Sequence, residues 1–182
     1  MDTLKFTFPV NNGNEIARNF LFAALVKLLN EKPIRQISIV ELCKSAGVSR
    51  SSFYWNFESK EDMLRKYFNS QFLVLVRHLQ KVKKQSQIDL YEYFFNYLHW
   101  HSELIDHLIK NNMENFLREH LYSYITHLMR ERIILETNVS HDFRVSFLSG
   151  GITEILVIWS NHDFRESSKQ MSCILNDLIN KV

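Results

Sequence analysis

Ser38-Ile39-Val40-Glu41-Leu42-Cys43-Lys44-Ser45-Ala46-Gly47-Val48-Ser49-Arg50-Ser51-Ser52-Phe53-Tyr54-Trp55-Asn56-Phe57-Glu58-Ser59-Lys60 encodes two short helices around a glycine turn. Ser38 with Glu41 three residues on forms a capping-box pattern, in which each side chain serves the other's backbone N–H. Ile39, Leu42, Cys43 and Ala46 follow at i, i+3, i+4 and i+7, an apolar stripe along one helical face. Gly47 ends the stripe where a left-handed residue closes a helix at little steric cost, and Val48 pins the turn. Ser49 is a second N-cap. On the helix it opens, Phe53, flanked by Val48 and Phe57, faces the core, which turns Arg50, Ser51, Tyr54 and Trp55 outward.

The charge distribution matches such a face. The chain of 182 residues carries a formal net charge of +2, but residues 1–84 hold +7 and the remainder −5. Positive charge gathered on the half that contains the helical pair is the electrostatic footprint of polyanion binding, because each neutralised phosphate releases condensed counterions. The run Lys81-Val82-Lys83-Lys84 adds three of these charges beyond the pair and reads as a solvated helix end.

Four glycines and two prolines are too few to turn an all-β chain, and no segment alternates as a strand would. A first helix is expected over residues 14–31, with Ile16, Phe20, Ala23, Ala24, Leu25, Leu28 and Leu29 as its apolar positions and Pro33 marking its end. A second capping pattern, Ser59 to Asp62, opens a long helix over about 60–82 that buries Met63, Leu64, Tyr67, Phe68, Phe72 and Leu75. Further helices are expected over 88–100, 102–110 and 113–135. Near the end, Phe143, Phe147, Leu148, Ile152, Ile155, Leu156 and Trp159 form one broad stripe, and Met171, Ile174, Leu175, Leu178, Ile179 and Val182 another. These two helices either close the monomer core or meet a second copy. Gly150-Gly151 in mid-helix costs about 1 kcal/mol per glycine relative to alanine, so a close helix approach is expected there. Purely apolar runs such as Ile155–Trp159 are short against the roughly 20 residues of a spanning helix. With no export signal at the N-terminus and Cys43 and Cys173 far apart, the reading is a cytoplasmic protein with two reduced, packed thiols.

From Gly47 to Leu64 the chain resembles the helix-turn-helix signature of the TetR/AcrR family of bacterial transcriptional regulators, and the likeness extends back to about Ile16. The resemblance implies an all-α fold of about nine helices: a three-helix DNA-binding domain over residues 1–60, then a larger regulatory and dimerisation domain over 61–182. It implies a repressor that binds a near-palindromic operator as a homodimer and is released or modulated by an effector. Arg50, Ser51, Ser52 and Trp55 would face the major groove, where arginine can hydrogen-bond guanine in two places and an aromatic ring can lie against a thymine methyl. Ser38, Tyr54, Asn56 and Lys60 would hold phosphates and fix register. Asn56 departs from the histidine common in the family and removes a charge there. Phe147, Ile152, Ile155, Trp159, Ile174 and Leu178 would build the dimer interface.

Eight histidines raise an enzymatic or metal reading, but no HExxH, CxxC or paired-carboxylate spacing supports it. His99 and His101, two residues apart, point to different sides of a helix. No enzyme activity, cofactor or metal is therefore expected. Tyr93, Phe94, Tyr97, Trp100, Phe116, Tyr122 and Tyr124 suit either an effector pocket or plain core, and no pocket residue is assigned. The ending, Gly150-Gly151-Ile152 to Trp159 and then a short amphipathic helix, resembles the subgroup named for regulators of dihydroxyacetone kinase operons. There a partner protein can replace a small effector and activation can replace repression. The reading from another class is a helical interaction module that works through a protein partner without reading specific DNA.

Overall fold

The computed structural model describes residues 15–82, 86–133 and 140–180. Lys83, Lys84, the expected helix beyond residue 133 and Val182 lie outside them, as do the side chains of Lys81 and Val82. Among the described residues there are nine α-helices and no strand: α1 Glu15–Leu29, α2 Ile39–Ala46, α3 Arg50–Asn56, α4 Lys60–Val82, α5 Gln87–Trp100, α6 Ser102–Lys110, α7 Glu114–Arg130, α8 His141–Asn161 and α9 Ser168–Asn180. A 3₁₀ turn, Ile34–Gln36, follows Pro33 and precedes α2. The chain divides into two compact units, Met1–Phe72 and Leu73–Val182, so the boundary falls inside α4, beyond residue 60.

The first unit gathers on α1. Leu21, Phe22, Leu25, Leu28 and Leu29 are buried, whereas Ile16 and Phe20 stand in solvent at 67% and 56% exposure. Ala24, Leu25, Leu28 and Leu29 face inward as their spacing predicts, but Phe22 is buried in place of Phe20, its ring stacked on Tyr67 of α4 with centroids 3.8 Å apart. The aromatic face of α4 captures Phe22 and turns Phe20 out. Met63, Leu64, Tyr67 and Phe68 are buried, as their spacing requires. These four positions explain why the first part of α4 belongs to this unit.

In the second unit α5 opens with a full capping box, Ser86 with Asp89. Trp159 is the largest wholly buried side chain. Its indole N–H donates to the Glu166 carbonyl at 3.1 Å, and Phe95 meets its ring edge-on at 5.7 Å. Ser160 of α8 donates to Asp106 of α6 at 2.7 Å.

Helix α8 divides the apolar residues expected at an interface between core and surface. Its apolar positions form two faces: Val145, Leu148, Ile152, Leu156 and Trp159 are buried within the monomer, while Phe143, Phe147 and Ile158 are exposed. Ile152 and Trp159, at 6% and 1% exposure, are enclosed within the monomer, although an edge of Trp159 also lines the groove between α8 and α9. Ile174 and Leu178 of α9 are exposed, and with half-buried Ile155 and with Ile158 they line an open groove between α8 and α9. A Cβ added at Gly150 or Gly151 meets nothing within 4 Å, so among the described residues no neighbour packs where a side chain would project from them. At 21 residues and a mean hydropathy of 1.2, α8 is long and apolar enough to cross a membrane, but 44% of that stretch is buried in the fold, as in a core helix. Cys43 is buried and Cys173 exposed, so only one of the two thiols is packed.

Candidate nucleic-acid interface

The helical pair is built from its caps. Ser38 Oγ accepts the Glu41 N–H at 3.1 Å and opens α2. The reciprocal half of the expected capping box is absent, because the Glu41 carboxylate turns to the Lys32 ammonium, 2.5 Å away. Gly47 takes φ 66° and ψ 28°, and the Val48 N–H reaches back to the Cys43 carbonyl at 3.0 Å, closing α2 through a left-handed residue. Ser49 Oγ then accepts the Ser52 N–H at 3.0 Å and starts α3. Burial pushes the Cys43 thiol above its usual range, against a smaller opposing pull from Arg50.

Helix α3 shows the two faces that its sequence encodes. Phe53 and Phe57 are wholly buried, while Arg50, Ser51, Tyr54 and Trp55 are exposed. Trp55 is 84% exposed, the highest value among the large apolar side chains described. Ser52 lies half-buried beside them. A flat aromatic ring, a guanidinium and two hydroxyls on one short helix can make the apolar and bidentate contacts that base edges present in a major groove.

Two of the residues expected at phosphates are engaged within the protein. The Asn56 amide donates to the Ser52 carbonyl at 2.7 Å, capping its own helix. The Lys60 ammonium donates to the carbonyls of Ile34, at 2.6 Å, and Ile37. A lysine at the first position of a helix is repelled by the positive end of the macrodipole, and the carbonyls of the 3₁₀ turn give it a better setting. Ser38 and Tyr54 remain at the surface. The Ser38 hydroxyl accepts from Glu41 and so keeps its own hydrogen for an outside acceptor.

Helix α4 starts on Ser59, whose Oγ accepts the Asp62 N–H at 2.9 Å. Asp62 Oδ2 accepts the Glu58 N–H at 3.0 Å and pairs with Lys66 at 2.9 Å. Burial raises the Asp62 pKa, but hydrogen bonds from Lys66 and the Glu58 backbone, with the charges of Lys66 and Arg65, outweigh it and hold the carboxyl below its ordinary value. A depressed folded-state pKa contributes stability above the unfolded value, near pH 3.9, that disappears as pH falls through the folded one. Asp62→Asn is accordingly expected to cost about 1 kcal/mol at pH 7, with the difference in melting temperature from wild type shrinking toward pH 2. Thermal unfolding followed by circular dichroism at both pH values measures this. A cost independent of pH would place the contribution of Asp62 outside its charge.

The second unit holds a narrow apolar chamber of about 50 Å³, walled by side chains that include Phe94, Leu128, Leu148, Ile152 and Leu175, with Tyr91 and Arg144 as its polar members. Tyr91 is occupied by the Gln87 amide at 2.6 Å. Of the aromatic residues noted in the sequence, Phe94 lies in this wall, whereas Tyr122 is exposed and lies by a shallow depression with Arg118, Glu119 and Ser123. Arg144 carries no periodic signal, and only its place in the chamber wall beside Tyr91 reveals it.

A family model described as "Bacterial regulatory proteins, tetR family" matches residues 21–67, and one described as "Transcriptional regulator C-terminal region" matches residues 85–181, more than half of the chain. The chain is 39% identical over 56 residues to the HTH-type transcriptional regulator EthR of Mycobacterium tuberculosis, which is 31% of this chain and 24% of EthR. It thus spans about a quarter of the length of that relative. Among solved structures, the fatty acid degradation regulator FadR from Bacillus halodurans superposes with a TM-score of 0.60 at 15% identity, covering 93% of this chain and 96% of that one. FadR from Bacillus subtilis in complex with stearoyl-CoA gives 0.59 at 17% identity, covering 90% and 98%. The dihydroxyacetone kinase operon activator DhaS gives 0.58 at 17%, covering 90% and 93%. At these identities the likeness to solved structures is one of fold.

Proposed function

The chain belongs to the TetR family of bacterial transcriptional regulators, which bind DNA, and we propose that it is a cytoplasmic, homodimeric repressor whose α3 reads a near-palindromic operator. The observation that carries this reading is the pairing, on one seven-residue helix, of buried Phe53 with exposed Arg50, Ser51, Tyr54 and Trp55. Arg50, Ser51, Ser52 and Trp55 are the base-reading set. Ser38 and Tyr54 contact phosphate, Asn56 adds one remaining amide hydrogen, and Lys60 contributes through the backbone it holds. The two α3 helices of the dimer enter successive major grooves, roughly 34–36 Å apart.

The second copy docks on the α8–α9 face. Phe147, Ile155, Ile158, Ile174 and Leu178 supply the apolar surface, and the open space over Gly150 and Gly151 admits a partner helix. The effector enters the chamber of the second unit. An engineered apolar cavity of 150 Å³ accepts benzene, so a chamber of about 50 Å³ takes no ligand of that size until its helices move. That requirement couples binding to a change of shape. The lining suits an apolar body with an anionic end near Arg144, and the stearoyl-CoA held by the Bacillus subtilis relative makes a long-chain acyl thioester the first compound to titrate.

Footprinting and titration on the DNA upstream of the chain's own reading frame test the regulator reading. Arg50→Ala is expected to cost about 1–3 kcal/mol on the specific site and to relax selectivity at one base position. Flat, weak binding to every duplex, with or without Arg50, would favour a module that acts through a protein partner on the α8–α9 face. Sedimentation of the full chain separates a homodimer from such a monomer.

A further inference from the structure

The first turns of α4 hold the recognition helix by its C-terminal end, and we propose that Lys66 is a positioning residue for sequence reading that makes no contact with DNA phosphate. The inference rests on α3 being the base-reading helix. Seven residues are too few for an isolated helix to be stable, so its orientation comes from what grips its ends. At the N-terminal end the grip is Ser49. At the C-terminal end the unpaired carbonyls need donors, and the Lys66 ammonium donates to the Asn56 carbonyl at 3.0 Å.

Two further contacts fix that ammonium. Asp62 pairs with it at 2.9 Å, one helical turn back on α4. Asp62 is itself held by the Glu58 N–H, in the link between α3 and α4. The ammonium also lies 5.7 Å from the centroid of the Phe57 ring, which the Arg18 guanidinium approaches at 5.8 Å. Phe57 is buried and is the C-cap of α3. Lys66 therefore joins three points on one side of the recognition helix: its last carbonyl, its capping ring and the capped start of α4. A cation at a helix C-terminus is favoured by the macrodipole.

The same contacts argue against a phosphate role. An ammonium has three N–H groups, and two of them are directed to Asn56 and Asp62. The Asp62 carboxylate also cancels most of the field that Lys66 would project outward. A phosphate contact and a positioning contact differ in their salt dependence. Neutralising a phosphate contributes about 0.9 to the slope of log affinity against log salt, and it strengthens binding to every sequence alike. A positioning contact changes the ratio between specific and random DNA and leaves the slope alone.

The test uses the full chain, a duplex enriched from a random library by the wild-type protein, and a random-sequence duplex. Lys66→Met keeps the stem against Phe57 and removes the donor and the charge. It is expected to lower affinity for the enriched duplex about fivefold to tenfold, a loss in the range of one hydrogen bond to a charged group. Affinity for random duplex and the salt slope are expected to stay at wild-type values, and Lys66→Arg is expected to recover most of the loss. A slope reduced by about 0.9, with both duplexes weakened equally, would make Lys66 a phosphate contact and overturn the proposal. Unchanged affinity for the enriched duplex would overturn it as well. Should Lys66→Met not fold, Lys66→Gln carries the same comparison. Arg50→Ala runs in parallel: if it leaves selectivity intact, the assignment of α3 as reader fails, whatever Lys66 does.

Discussion

On the proposed dimer, Ile174→Asp is expected to give a monomer that keeps its helices and loses operator binding by roughly 100-fold or more. Ile174 is 44% exposed in the monomer and lines the α8–α9 groove, so a carboxylate there stays in water in the single chain and is forced into an apolar contact in the dimer. Burying an unpaired charge costs several kcal/mol, which a surface of this kind does not offset. The loss of DNA affinity follows from linkage of the two reading heads. Once one α3 is seated, the second binds at an effective concentration set by the dimer, a gain of about 10²–10⁴. Sedimentation and operator titration read the two effects, and circular dichroism checks the fold. Ile152→Asp is the contrast. Ile152 is buried inside the monomer, so the same substitution there is expected to unfold the second unit. If Ile174→Asp remains dimeric and binds its operator normally, the copies meet on another face.

Phe53→Ala is expected to destabilise the first unit by about 3–5 kcal/mol and to abolish DNA binding at 37 °C. The ring has no exposed surface, lies 5.8 Å from Phe57, and meets the Tyr54 ring edge-on at 5.3 Å. A unit of this size has little stability in reserve, because small domains bury a small fraction of their surface. Calorimetry is expected to show an early transition for this unit, with the helical signal of the second unit persisting to higher temperature. A single transition at the wild-type temperature would mean that the core closes over the missing ring.

Much of the fold was legible because helix caps are local. Ser38, Gly47, Ser49 and Ser59 act where their spacing puts them, since each needs only a backbone group three to five residues away. The faces of α3 and α4 were legible for the same reason, as their apolar residues recur with one clear period. Other features were not. The apolar residues of α1 extend over more than one face, so periodicity alone could not say whether Phe20 or Phe22 turns inward, and the stacking on Tyr67 decides it. Helix α8 carries two apolar faces. A sequence shows their sum as one broad stripe, which merged buried Ile152 and Trp159 with exposed Phe147. The carbonyl partners of Lys60 and Lys66 were equally hidden, because each lies on another helix or turn.

The sequence by itself determined an all-helical chain of this length, the position of both turns of the helical pair, and the outward set Arg50, Ser51, Tyr54 and Trp55. Those outcomes depend on contacts within one or two helical turns, where spacing and geometry are nearly the same statement. Only the tertiary structure decided which apolar residues of α1 and α8 are core and which are surface. It alone placed the ammonium groups of Lys60 and Lys66 on backbone carbonyls and left open space over Gly150 and Gly151. Packing selects among faces that are equally apolar, and a long, flexible charged side chain goes to whichever partner another helix or turn brings within reach.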